Sequence, residues 1–540
     1  MVGLRDASLA FIMRIAASGT DRAGLAGMHT HRIPRHLALA ALLVSAACSS
    51  TAEPPTTAPT PIPRAGPTVN PDVLPTVRRE FRGVWVATVA NIDWPSRPGL
   101  PAEQQQAELV SILNRAKAAG MNAIVFHVRP AADAVYRSAL EPWASMLTGT
   151  QGTDPGFDPL AVAVREAHAR GMELHAWVNP FRAGNAGDTV TKLASNHVFR
   201  TNRSLVRVYG PQLWLDPGEP AVQDRSMAAI LDIVRRYDVD AVHLDDYFYP
   251  YPATDSAKRP IAFPDSVTYA RYGSGSTVAN WRRANVDRFV ERLYREVHTA
   301  KPAVRVGISP FGIWRPGNPA GITGLDAYDA IYADARKWLQ NGWVDYLAPQ
   351  LYWRIDPPQQ SFPALLDWWL AQNTRGRHVW PGLATYRVFE GATPWPISEI
   401  ENQVRIARSR TDGLLFYNTT ATLSRNGGEM AAMLARELLA DVALPPAAPW
   451  LDAQPPTMPT MTVGTGPRGS FLATLTPTGD APRWWLVRWR SQQRWTTEIR
   501  PGTDRELSLI SPTDAAVDWV AVNAVDRSGN LSAPREWRMP

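Results

Sequence analysis

Cysteine is nearly absent. Cys48 is the only one in 540 residues, so no disulfide can form within the chain, and an exported form must be held together by its core. Several signatures are also missing. No phosphate-binding loop, dinucleotide fingerprint or G-x-S-x-G elbow stands in a suitable strand-to-helix context, which argues against nucleotide, NAD and esterase chemistry. No His, Asp and Glu residues recur at metal-ligand spacing, so neither a metal nor a cofactor is expected. Charge is balanced, with 56 basic against 50 acidic residues and a net +6. Without a basic stripe or a nucleic-acid motif, nucleic acid is not an expected partner, while an anionic polymer stays open. Long apolar runs are lacking too: Leu37 to Ala47 is too short to span a bilayer as a permanent helix.

That run nevertheless has a setting. Arg32 and Arg35 precede it and small residues lead to Cys48, the layout of a secretory signal peptide. Ser45-Ala46-Ala47-Cys48 resembles a bacterial lipobox, so residues 1–48 are expected to be a signal with lipidation at Cys48. The alternative is an ordinary signal peptide with an incidental cysteine. Residues before about Met28 do not look like its start. Residues 49–78, rich in Pro and Thr, read as an extended tether. The expected place is the cell envelope, at the outer membrane and periplasm if the host has two membranes, since Ser49 fits outer-membrane sorting.

From residue 79 to 444, short apolar runs alternate with helical patterns. The predicted strands are 83–89, 123–128, 173–178, 241–244, 305–309, 346–351, 379–384 and 414–417. Stretches such as "AEQQQAELVSILNRAKAAG" and "ANWRRANVDRFVERLYREVHTA" between them carry apolar residues at helical spacing. Eight such units predict an α/β fold, a (β/α)8 TIM barrel with enlarged loops, with a doubly wound sheet as the alternative. After "LPPAAPW" the pattern changes to period-two alternation, and residues 445–540 are expected to form a small all-β sandwich. "AVNAVDRSGNLSAP" resembles the end of a fibronectin type III domain, a kind of module that serves as spacer or protein contact; Trp485 is expected to pack inside it.

In a barrel, residues at the C-terminal strand ends face the site. These are Asn91, Asp93 and Trp94; His127 and Arg129; Trp177, Asn179 and Arg182; Asp245, Asp246 and Tyr249; Ser309, Phe311 and Trp314; Gln350, Tyr352 and Trp353; Tyr386; and Tyr417 with Asn418. Glu173 and Asp345 fall at strand starts. The chain's 21 tryptophans exceed its 15 tyrosines and 14 phenylalanines, and aromatic rings serve either as core anchors or as platforms for sugar faces. His127, His175 and His243 lie on strands, where a hydrogen-bonded core role is the usual one; His127 is kept as a binding candidate.

Asp245 and Asp246, in "AVHLDDYFYPYP", are the only close acidic pair at a strand end. Glycosidic cleavage needs a carboxyl group to protonate the leaving oxygen and a second group to stabilise an oxocarbenium-like centre. Two carboxylates this close do not both ionise easily, so one should keep a proton. Adjacent residues fit poorly with the separations of about 5 to 9.5 Å used by two-carboxylate mechanisms. They suit substrate assistance, in which the sugar's 2-acetamido oxygen attacks the anomeric carbon. Asp245 is assigned to the amide and Asp246 to the acid, with the reverse left open. A pair of structural caps or a buried ion pair is the non-catalytic alternative. Tyr352 is a candidate for the acetamido group and Trp353 for the subsite floor; Arg129, Asn179 and Arg182 are candidates for sugar hydroxyls or a carboxylate, or else brace loops. Asn91, Trp94, Trp177, Tyr249, Trp314, Gln350 and Tyr417 complete the expected substrate-binding set.

"FRGVWVATVANIDWPS", "NAIVFHVRPAADAVY", "GMELHAWVNPFR", "AVHLDDYFYPYP", "VGISPFGIWR" and "DYLAPQLYW" together resemble the glycosyl hydrolase-like 10 family of bacterial envelope proteins. The resemblance spans about residues 79–444. It implies a TIM-type barrel, often on a lipoprotein, that hydrolyses peptidoglycan glycan strands, particularly those stripped of stem peptides. It also implies that Asp245 and Asp246 line the site, with Arg129, Asn179, Gln350 and Tyr352 nearby. The rival expectations are a hydrolase of another extracellular polysaccharide and a non-catalytic glycan-binding envelope protein.

Overall fold

A computed structural model of the chain describes residues 70–539 apart from 188–191, 465, 467–469 and 512–514. The expected signal peptide, Cys48 and most of the tether lie outside the described residues.

The barrel strands are β1 (Phe81–Val86), β2 (Ala123–Arg129), β3 (Glu173–Val178), β4 (Ala241–Leu244), β5 (Arg305–Ile308), β6 (Tyr346–Leu347), β7 (His378–Val379), β8 (Gly382–Ala384) and β9 (Gly413–Tyr417). All pair in parallel, in the order β7-β6-β5-β4-β3-β2-β1-β9-β8. The two end strands are halves of one extended segment broken at Trp380-Pro381, where proline has no N–H to give a ladder. Its first half pairs with β6 and its second with β9. Trp380 N–H bonds to Leu347 O and Gly382 N–H to Pro349 O, so the sheet closes as eight staves. Carried once round, the registers bring Gly83 level with residue 75, a stagger of eight, as a (β/α)8 barrel requires. Closure excludes the doubly wound alternative.

Helices follow the staves: α1 (Ala102–Ala118), α2 (Pro159–Ala169), α3 (Pro220–Arg236), α4 (Val278–Ala300), α5 (Ala335–Asn341), α6 (Phe362–Ala371), α7 (Ile397–Arg410) and α8 (Thr419–Leu423). Their starts are written locally. Asp158 accepts from Ala161 N–H with Pro159 in the first turn, Thr277 accepts from Asn280 N–H, and Asp334 accepts from Lys337 N–H. The first strand ends three residues earlier than predicted, because residues 89–91 form a tight 3-10 turn with Ala90 and Asn91 at φ of 52° and 53°. The regular strand at 346–351 is Tyr346–Leu347, and pairing resumes at Gln350, which bridges Phe311 and Gly382.

Large rings fill the barrel. Phe81 stacks on Trp380 at 3.9 Å, and Trp380 on Tyr346 at 4.7 Å. Gly307 makes this possible, since a Cβ there would lie 1.9 Å from the Tyr346 ring. A polar column crosses the same interior. Trp85 Nε1 donates to His243 Nε2 (3.2 Å), His243 Nδ1 meets the Tyr346 hydroxyl (2.9 Å), that hydroxyl meets His175 Nδ1 (2.8 Å), and His175 Nε2 meets Glu173 (3.0 Å), which Arg305 grips at 2.8 and 3.0 Å. An indole only donates, so Trp85 fixes every proton down the line: His243 must donate from Nδ1, Tyr346 to His175, and His175 to Glu173.

The C-terminal region is a β-sandwich with sheets β10-β11-β14 and β13-β12-β15-β16, built from β10 (Thr460–Gly464), β11 (Ser470–Thr476), β12 (Trp484–Ser491), β13 (Arg494–Pro501), β14 (Glu506–Ile510), β15 (Val517–Val525) and β16 (Arg535–Arg538). Trp485 is fully buried in its core. The sandwich covers the N-terminal face of the barrel. Arg483 pairs with Asp240 (2.6 Å) and Asp238 (3.0 Å) at the start of β4, and Trp450 donates to Asp345 (2.7 Å) at the start of β6. Burial pushes Asp240 up, but Arg483 and His168 outweigh it and hold this carboxylate well below its usual range. The last described part of the tether lies on the same sandwich, with Arg490 and Trp495 donating to Pro71 O and Arg488 to Pro75 O.

Replacing Tyr346 by Phe keeps the ring and removes the hydroxyl shared by two buried histidines. At about 1–3 kcal/mol for each polar group left unsatisfied, Tyr346→Phe should lower unfolding stability by roughly 2–4 kcal/mol, read as an earlier midpoint in chemical denaturation.

Candidate active site

β4 ends at Leu244 because the next backbone donor is diverted: Asp246 N–H bonds to Asp245 Oδ1 at 2.9 Å instead of to a neighbouring strand. Asp245 keeps the inward phase of His243, and Asp246 sits in the turn. The adjacent carboxyls thus converge at the C-terminal mouth of the barrel, where each acts on the ionisation of the other.

Their surroundings are unequal. Asp245 accepts from Asp246 N–H (2.9 Å) and from Gln350 Nε2 (3.1 Å), and the nearby Tyr247 hydroxyl and Asp246 carboxyl also favour its charged form. Gln350 is itself held by Ser309 O at 3.0 Å, and Tyr247 by Asn179 Nδ2 at 3.4 Å. Asp246 is 3% exposed and has one side-chain donor that favours its charge, the Tyr251 hydroxyl. Burial pushes Asp246 well above the ordinary carboxylate range, and the charge on Asp245 adds to this. Burial also raises Asp245, but its donors oppose the rise. Of the two, Asp246 therefore holds a proton more readily than Asp245.

The other acidic groups near this end of the barrel are engaged elsewhere. Asp93 accepts from Ala87 and Thr420 N–H, and burial raises it to about 6. Glu141 is held by Arg129, Asp216 by Arg207, Asp265 by Arg282, and Glu390 lies 3.6 Å from Arg425. Among the described residues no group of three or more His, Cys, Asp or Glu side chains is placed to hold a metal ion.

Aromatic rings wall the mouth. Tyr352 stacks on Tyr417 at 5.9 Å, with Tyr386 edge-on to both and Trp85 below Tyr417. Phe311 bridges Tyr251 and Trp353. On the opposite side Trp177 stacks on His127 at 3.9 Å and donates to Asn179, with half-buried Arg182 following. The structure thus gathers Asp245, Asp246, Gln350, Tyr352, Trp353, Tyr417, His127, Trp177, Asn179 and Arg182 around one cleft.

Five expected binding residues are not free for a substrate. Trp94 is fully buried and donates to Gln105 O of α1. Asn91 donates to Pro95 O and Met146 O, closing its own loop. Arg129 is fully buried in a two-pronged pair with Glu141 (2.6 and 2.7 Å) and donates to Asn179 O and Pro180 O; it braces the end of β3. Tyr249 is fully buried, its hydroxyl receiving Asn285 of α4 at 3.3 Å. Trp314 donates to Asp334 and stacks on Trp368 beside α5 and α6. Two residues escaped sequence reasoning, Tyr247 and Tyr251. They belong to the same segment as Tyr249 and share its period-two phase with Asp245, so spacing alone gave nothing to separate the three rings.

A closed (β/α)8 barrel with an acid and a carboxylate at its mouth, walled by aromatic rings, is the architecture of a glycosidase. The family model for glycosyl hydrolase-like 10 matches residues 80–395, and the chain belongs to that family. It is 40% identical over 409 residues to the glycosyl hydrolase YngK of Bacillus subtilis, covering 74% of this chain and 79% of YngK. It is 37% identical over 331 residues to the glycosyl hydrolase DigH of Escherichia coli, covering 57% of this chain and 74% of DigH. Among solved structures, the glycoside hydrolase domain of PgaB (BpsB) from Bordetella bronchiseptica aligns with 66% of this chain and 98% of that domain, at 14% identity and a TM-score of 0.44.

Tyr251 favours the charged form of Asp246, so its removal should raise that group further. Activity that needs a protonated Asp246 is lost as pH rises through its folded value. In Tyr251→Phe the basic limb of the pH–rate profile should therefore move up by about one unit, with kcat reduced about ten-fold. An unmoved basic limb would detach Tyr251 from the acid.

Proposed function

We propose that this glycosidase cleaves the glycan strands of bacterial peptidoglycan, in particular strands from which the stem peptides have been removed, with the 2-acetamido group of the sugar as the internal nucleophile. The observation that carries this reading is the unequal aspartate pair. Asp246 holds a proton more readily than Asp245, and the two carboxyls come from adjacent residues of one strand end rather than from opposite walls of the mouth.

Each group then has a role. Asp246 gives its proton to the leaving glycosidic oxygen while the acetamido oxygen attacks the anomeric carbon. Asp245, ionised and oriented by Gln350 and Tyr247, accepts the amide N–H and stabilises the positive charge of the oxazolinium ring. Asp246, now a carboxylate, takes a proton from water as that water opens the ring at the anomeric carbon. The configuration is retained and the acid is restored. The stacked tyrosines 352 and 417 offer flat faces to the sugar. Family membership and the likeness to YngK and DigH support glycan hydrolysis as the chemistry.

Purified protein should release soluble fragments from amidase-treated sacculi, identified by mass. Asp246→Asn should lower the rate by about 10³-fold with strand binding retained, and the same strands with hydroxyl in place of the 2-acetamido group should resist cleavage. Cleavage of another exported polysaccharide in preference to these strands would favour the rival substrate, and an unchanged rate in Asp246→Asn would remove that residue from catalysis.

We also propose that the protein is held in the envelope by lipid on Cys48, the tether giving the barrel reach into the wall. Cys48→Ala should move it from the membrane to the soluble fraction; retention in the membrane would count against the anchor.

A further inference from the structure

Arg182 is a cationic side chain of the cleft for which no counter-ion stands among the described residues. It opens the short strand Arg182–Asn185 just beyond the tip of β3, paired opposite Trp214, whose ring stands edge-on to Tyr247 at 5.9 Å. Neighbouring arginines on this side are all spent: Arg129 on Glu141, Arg207 on Asp216, Arg282 on Asp265. The guanidinium of Arg182, half-buried, makes no hydrogen bond or ion pair among the described residues. Its charge is felt at the Tyr247 hydroxyl, which lies near Asp245, and at the ring of His127.

His127 is the second observation. It is fully buried and stacked on Trp177, and neither ring nitrogen has a hydrogen-bond partner. Burial, with Arg182 adding to it, keeps the ring neutral. Unspent polar groups and a cation unpaired among the described residues therefore meet on the β2–β3 side of the aspartate pair. Leaving a half-buried guanidinium unpaired costs stability. An anion delivered by the substrate would recover that cost on binding.

We propose that Arg182 binds the free carboxylate of a 3-O-lactyl sugar, so that the enzyme reads the removal of a stem peptide directly. This rests on the peptidoglycan reading given above. While a peptide is attached, the lactyl carbonyl is a neutral amide followed by bulk. Once an amidase has acted, the same position is a compact carboxylate whose two oxygens match the fork of a guanidinium. Selectivity for denuded strands then comes from a charge that appears only after the peptide leaves, rather than from steric exclusion alone.

The test uses the full-length protein and two preparations of amidase-treated strands: one with free lactyl carboxylates, one with those carboxylates converted to methylamides, which removes charge while adding almost no bulk. Wild type should show kcat/KM at least ten-fold higher on the acid strands, mostly through KM, with the ratio shrinking as salt is raised. Arg182→Gln should bring the ratio close to one, and Arg182→Lys should restore part of it, with melting temperatures showing that both variants fold. Equal wild-type cleavage of both preparations, or a ratio that survives in Arg182→Gln, overturns the inference while leaving the peptidoglycan reading in place. Cleavage of neither preparation overturns both.

Discussion

The buried hydrogen-bond column from Trp85 to Arg305 sets the geometry on which the rest of the molecule depends. Polar groups inside a barrel are tolerated only if each finds a partner, and here each link has one permissible direction because the indole of Trp85 can only donate. The column joins β1, β4, β6, β3 and β5 through side chains alone. That ties together five of eight staves independently of the backbone ladder. His243 is held from both nitrogens, and burial with the neighbouring histidines keeps it neutral. Two residues further along the same strand face is Asp245. The position of the ionised carboxylate is therefore inherited from the core beneath it.

At Asp245 the strand stops, and the way it stops creates the chemistry. A ladder hydrogen bond from Asp246 N–H would have continued β4 and sent the second carboxyl to the outer face. The N–H turns to the Asp245 side chain instead, and the turn brings both carboxyls to the same side. Asp245 then collects two donors, Asp246 N–H and Gln350, with Tyr247 nearby, and Asp246 is left with the Tyr251 hydroxyl. Burial alone would push both groups up; the unequal supply of donors separates them, so one proton has one preferred home. An acid beside a base arises from local backbone geometry, with no third charged group needed.

Much of this was legible in the sequence. Strand positions followed from buried runs of four to seven residues, helix starts from Asp158, Thr277 and Asp334, and the eight-unit count from their alternation. The special standing of Asp245 and Asp246 followed from finding two acids at the end of an apolar run. What could not be read is what each polar side chain at the rim does once folded. Arg129 looked available because its partner, Glu141, lies twelve residues away in a loop whose path no local pattern gives. Trp94 and Trp314 looked like sugar platforms because an indole ring reads the same whether it faces a ligand or the carbonyl of a helix. Tyr247, Tyr249 and Tyr251 share one period-two phase, so nothing in their spacing separates the buried ring of Tyr249 from the two hydroxyls beside the aspartates. Alternation is a property of extended backbone, and it expires at the first turn.

The two ends of the barrel treat charge in opposite ways, and the contrast explains why only one end carries a site. At the N-terminal face every carboxylate that enters the interior is matched: Glu173 by Arg305 and His175, Asp240 by Arg483 and His168, Asp345 by His298 and Trp450. The C-terminal sandwich supplies Arg483, so covering that face completes its charge balance and closes it to solvent. At the mouth the balance among the described residues is left incomplete, with two adjacent carboxyls that form no ion pair and Arg182 without an acid. A protein selected for stability alone would have brought these opposite charges together across a gap that one strand end spans. Keeping them apart leaves both kinds of group unsatisfied until something enters the cleft that carries an amide for one and an anion for the other.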